Sequence, residues 1–178
     1  MKDASLKYHP VARLIHWLMA TGFLFMWICG YSMTELVEDD SALQEFLFDL
    51  HISVGVTLLV LLIVRITFRI VIAPPPMPSL IQGWERIGAH LGHAALYILP
   101  ALVITAGWVE TNFGGHTVKW FGMGMPAIFP EVDEFWQDLS QEVHMILAYT
   151  MLVMAVVHVA AAYKHRWIDG HDVLYRMT

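Results

Sequence analysis

Apolar residues gather in four long stretches, and polar residues gather between them. The stretches run over about 14–33, 50–72, 88–109 and 143–163. Each supplies the roughly 20 apolar residues that a helix needs to cross a hydrocarbon core about 30 Å thick. Backbone polar groups in lipid must be paired within the segment, so each stretch is expected as an α-helix. The links differ in character: acidic over 35–49, proline-rich over 73–85 and longest over 110–142. No tandem repeat or low-complexity tract interrupts this order. The pattern predicts an all-α membrane protein, a four-transmembrane-helix bundle forming one domain over 1–178.

Composition agrees. The chain is 57% hydrophobic and 15% charged, with a mean hydropathy of +0.57, whereas soluble domains carry about a quarter charged residues. A single cysteine, Cys29, leaves no intrachain disulfide, no CxxCH haem attachment, no cysteine-held iron–sulfur cluster and no cysteine zinc site. Any haem is therefore held non-covalently. The placement of charge says more than the net value of -6. Lys2, Lys7, Arg13, Arg65, Arg69, Arg86, Lys164, Arg166 and Arg176 fall on one side, and only Lys119 on the other. The excess of cations makes the first side cytoplasmic, with both termini inside. The opposite side collects Glu35, Glu38, Asp39, Asp40, Glu131, Asp133 and Glu134. No A-x-A-like cleavage signal follows the first stretch, which also carries His16, so it is expected to remain in the chain.

Ionisable side chains inside a bilayer are rare and point to function. Four histidines pair by depth: His16 with His158 near the cytoplasmic side, His51 with His144 near the outer side. His144 and His158 are fourteen residues apart. That spacing is about 21 Å of helix rise and within about 40° of whole turns, so both rings leave one helix face. Two haems, one near each membrane surface, need such a face, and imidazole is a good axial ligand for haem iron. Gly55 after His51 and Ala148 after His144 are expected to leave room for a porphyrin. The rival readings are a hydrogen bond between helices for any single histidine, and zinc, which wants clustered tetrahedral ligands. His144 and His158 are too far apart to share one ion. His90 and His93 are close enough, and either is also an alternative to His16 as the partner of His158. Arg13, Arg65 and Arg69 lie in the inner layer. Arg65 and Arg69 suit haem propionates by charge-assisted pairing, or snorkel to lipid headgroups. His9 and His171 are expected in solvent, His116 in the outer loop, and Met123 and Met125 in packing. The tryptophans are read as an interfacial belt. Gly88 and Gly92 form a GxxxG that permits close helix approach, within the bundle or between chains. Pro100 is expected to kink the third helix.

Taken in order, Arg13-Leu-Ile-His16-Trp17, His51 with Gly55, Val64-Arg65 through Arg69, His90-Leu-Gly-His93, Trp120-Phe121-Gly122, His144, His158 and Tyr175-Arg176-Met177 resemble the bacterial cytochrome b561 family of small di-haem membrane cytochromes. The resemblance runs over nearly the whole length. It implies two b-type haems with His16, His51, His144 and His158 as iron ligands, in a multi-pass protein of the bacterial inner membrane. It further implies electron exchange with ubiquinone at the cytoplasmic haem. In one branch it implies oxidation of superoxide to dioxygen at the periplasmic side, with ubiquinone reduced to ubiquinol. Within that frame a quinone site is expected at the cytoplasmic end, bordered by His93, His165 and Arg65, because quinone reduction consumes protons and histidine trades them near neutral pH. The alternatives are a cytochrome b subunit linking a dehydrogenase or hydrogenase partner to quinone, and a non-redox membrane module. No nucleic-acid partner is expected. The acidic outer face runs against an anionic substrate, since a field of like charge slows its approach.

Overall fold

The computed structural model describes residues 7–76, 83–170 and 172–178. His171 and Lys2 lie outside the described residues. Four helices dominate: α1 (Pro10–Tyr31), α2 (Ala42–Val71), α3 (Gly83–Phe113) and α4 (Glu134–Trp167). All four are long and apolar enough to cross a membrane. They extend past the apolar stretches because capped polar turns continue each helix beyond the hydrocarbon. The His9 side chain accepts from the Val11 amide, and Pro10 sits in the first turn, where its missing N–H costs nothing. Ser41 accepts from Gln44, whose own amide oxygen takes the Asp40 N–H, a near-reciprocal cap. Asp133 accepts from Trp136 at the head of α4. A five-residue π-helical turn, Ser32–Leu36, ends α1.

The helices pair as α1 with α2 and α3 with α4, with a lesser α2–α3 contact. Among the described residues α4 has hardly any close backbone approach to α1 or α2. The core lies instead between α1 and α2. Ile15, Met19, Leu58 and Leu62 form it, and Tyr97, Ala101 and Ile104 of α3 pack on it. Leu58 and Leu62 are 1% and 2% exposed, whereas outward residues such as Ile70 (77%) and Val153 (61%) are bare, as lipid-facing side chains are. Gly22 makes the α1–α2 contact: a Cβ there would lie 2.8 Å from the Leu58 side chain. By contrast, a Cβ on Gly88 or Gly92 would meet open space among the described residues.

Two short irregular regions close the ends. At the acidic end, β1 (Lys119–Trp120) and β2 (Met123–Gly124) form a hairpin. Phe121 and Gly122 turn it, both with positive φ (48° and 85°), as a type I′ turn demands. At the basic end, a 3-10 turn, Leu174–Arg176, returns to the start of α1. There Tyr8 N–H donates to the Arg176 carbonyl (3.1 Å) and Trp17 Nε1 to that of Met177 (2.9 Å). Arg13 donates to the Thr178 carbonyl oxygen. Both described ends of the chain thus meet at one end of the bundle.

Candidate functional site

The structure brings the histidines together in two layers. The His16 and His158 rings have centroids 6.3 Å apart, and the His51 and His144 rings are likewise 6.3 Å apart. Two imidazoles facing one ion from opposite sides, each nitrogen about 2 Å from it, put their centroids about 6 Å apart. Both pairs therefore have the separation that a six-coordinate iron between them requires. The separation of α4 from α1 and α2 runs through both pairs and suits a flat group inserted between the helices.

At the acidic end His144 Nδ1 donates to the Val103 carbonyl (3.0 Å), which turns Nε2 away from that backbone. A ring fixed in this way through its second nitrogen is the usual arrangement of a metal-bound histidine. His51 Nδ1 is buried with no hydrogen-bond partner among the described residues. Two glycines shape this layer. A Cβ on Gly107 would lie 3.0 Å from the His144 ring, and one on Gly30 would lie 3.4 Å from the His51 ring. The small residues picked from the sequence are differently placed: a Cβ on Gly55 would touch Met26 rather than a histidine. The signal that finds Gly30 and Gly107 is depth, since each sits on the neighbouring helix level with a ligand candidate.

A roof covers the acidic-end layer. Ser53, two residues after His51, donates to the Asp49 and Lys119 carbonyls and accepts from the Phe121 amide. Trp120 Nε1 donates to Thr57 (3.1 Å), so this tryptophan pins the hairpin to α2 rather than floating in an interfacial belt. Buried Asn112 holds the loop's other half, bonding the backbone at His116, Ile128 and Phe129. Met123, expected in packing, is 59% exposed at the hairpin. His116 stays in this loop, exposed.

The basic-end layer is richer. His93 joins it, with its ring centroid 5.7 Å from that of His158, closer than His16 is. Arg65 Nη2 lies 3.2 Å from His16 Nδ1, and its guanidinium stands 5.6 Å from the Tyr97 ring centroid. Arg65 thus points into the bundle, while Arg69 is exposed and Arg13 is tied to the C-terminal turn. His90 is exposed and has no ring contact within this layer among the described residues. His165 is elsewhere. Its Nδ1 lies 2.7 Å from Asp169, in a network where Lys164 bonds both Asp169 and Glu85 at 2.7 Å. Asp169 lies beyond α4, and the Lys164 hydrogen bond holds its carboxyl below the usual range, with His165 adding to the effect. His93 belongs to the ring layer, and His165 to a clamp between the ends of α3 and α4.

Known proteins resemble this chain over nearly its whole length. Residues 7–178 match the family model described as prokaryotic cytochrome b561. The chain is 31% identical over 173 residues to cytochrome b561 homolog 2 of Escherichia coli K12, covering 96% of this chain and 90% of that one. It is 28% identical to the probable superoxide oxidase CybB of Yersinia pestis, over 96% of this chain and 95% of that one. It is 26% identical to cytochrome b562 of Cereibacter sphaeroides, over 92% and 89%.

Proposed function

The chain belongs to the prokaryotic cytochrome b561 family, and from that premise we propose that it carries two b-type haems and passes electrons between its acidic end, outside, and a quinone at its basic end, inside. Membership makes it a multi-pass membrane b-type cytochrome of electron transport and removes the non-redox reading. The observation that carries the proposal is the equal 6.3 Å separation of two histidine pairs in different layers. His16 and His158 are the ligand pair at the inside, His51 and His144 at the outside. A haem held by two imidazoles supplies a one-electron couple. The chain's own residues do the rest. Gly30 and Gly107 leave space beside the rings, and Ile15, Met19, Leu58 and Leu62 keep water out between the layers. Arg65 supplies positive charge for inner propionates. His93, beside His158, is the group placed to hand protons to a quinone, with Arg65, beside His16, in the same layer.

The donor in the favoured form is superoxide, the substrate for which the Yersinia pestis relative is named. Two superoxide ions each lose one electron and leave as dioxygen, while ubiquinone gains two electrons and two protons to become ubiquinol. The acidic outer end favours a second reading, a cytochrome subunit that receives or delivers electrons through a partner protein. The test uses the purified chain in nanodiscs with ubiquinone and a superoxide source. Two haems per chain and ubiquinol formed without any partner are expected. Haem near one per chain overturns the two-site reading, and full haem with no ubiquinol turns the donor assignment to the partner protein.

A further inference from the structure

The end of the molecule that holds the His51–His144 pair is charged far out of proportion. Eleven exposed carboxylates lie on the link after α1, the first turns of α2 and α4, and the loop before α4. One cation faces them, Lys119, and Asp49 holds it at 3.7 Å. α2 begins nine residues before His51 and α4 ten before His144, which raises their first turns about 14 Å beyond the rings. The same segments expose apolar side chains: Phe46 (60%), Phe121 (64%) and Trp136 (49%). Phe121 caps the hairpin that Ser53 and Trp120 fasten to the helix of His51.

We propose that this acidic end is the docking surface of a soluble, positively charged one-electron carrier protein. The inference rests on the two-haem reading and names its outer partner. Transient protein interfaces combine exposed aromatic side chains with charged and polar groups. Complementary charge steers such partners together and repels those of the wrong sign. Superoxide has the wrong sign. The balance is two carriers per quinone: oxidising one quinol releases two electrons and two protons at the inner end and reduces two carriers outside, and the reverse consumes the same.

The probe is a small basic c-type cytochrome, with its succinylated, acidic form as control, binding to the haem-loaded chain in nanodiscs of zwitterionic lipid. Binding of the basic form is expected to weaken about tenfold from low to physiological salt. It should weaken about as much in Glu134→Lys/Asp138→Lys, and the succinylated form should not bind. Where that variant does not fold, Glu134→Gln/Asp138→Asn is expected to show a smaller loss in the same direction. Equal binding of the two cytochromes, or no response to either variant, overturns the surface. Tight binding to a chain with two haems but no electron exchange overturns the carrier role. Haem content and reduction by dithionite are read separately, so failure of the two-haem reading shows there and not in the binding.

Discussion

At the scale of single residues, the glycines beside the rings divide sharply. Gly107→Ala puts a methyl group 3.0 Å from the His144 ring, against the edge whose Nδ1 donates to the Val103 carbonyl. Moving the ring off that methyl breaks this hydrogen bond, so haem bound per chain is expected to fall towards one. Gly30→Ala meets His51 at 3.4 Å, and that ring has no hydrogen bond at Nδ1 to hold it. Haem content there is expected to stay near two, and a pyridine haemochrome assay of both variants checks the contrast. His144→Ala and His158→Ala should remove different components of the reduced-minus-oxidised spectrum. Loss of the same component from both would mean that the two layers do not hold separate haems. The sequence showed the depth of each histidine, because hydropathy sets depth and helical period sets direction. It did not show which glycine faces which ring, because that depends on how neighbouring helices are rotated against each other.

At the scale of elements, the roof over the acidic-end layer hangs on a few buried polar atoms. Asn112 is 2% exposed and its side chain bonds three backbone groups. Asn112→Leu would orphan those groups at about 1–3 kcal/mol each. A clear fall in melting temperature is expected, with faster proteolysis between residues 114 and 130. Gly122→Val is also expected to loosen the hairpin, because its φ of 85° is strained for a β-branched residue. The clamp joining α3 to α4 responds to acid instead. Asp169 is held below its ordinary titration range, so its contribution is present above that range and is lost as pH falls through the lowered value. Asp169→Asn should remove this acid-sensitive part, which thermal unfolding followed from neutral pH to below pH 4 would detect. The four spans were legible as hydropathy blocks. The hairpin was not, since two-residue strands leave no periodic trace and their support comes from Ser53 and Thr57, some 65 residues earlier.

For the whole molecule, the two ends differ in sign, and the proposed orientation rests on that asymmetry. The described cations other than Lys119 gather at the end where the chain's two described ends meet. Thr178→Cys is expected to react with a membrane-impermeant thiol reagent only in inside-out vesicles, and Asp39→Cys only in right-side-out ones. The native thiol, Cys29, is buried and should stay silent. The opposite pattern would reverse the electron path proposed above. Charge placement was readable from the chain alone because it needs no tertiary contact. The return of the C-terminal turn onto Tyr8, Arg13 and Trp17 was not, because carbonyl acceptors carry no sequence signature.

The loose approach of α4 to α1 and α2 has a consequence for biogenesis. The α1–α2 and α3–α4 pairs meet through α3, whose Tyr97, Ala101 and Ile104 pack on the α1–α2 core, while α4 has hardly any close backbone approach to α1 or α2. Ligation from α4 to α1 and from α4 to α2 would rivet it to both. A cofactor held in this way would fasten α4 last, and a chain that has not received it is expected to keep α4 against α3 alone. Such a chain is a natural substrate for membrane quality-control proteases. Its abundance in the cell should follow haem supply even when synthesis of the polypeptide is constant.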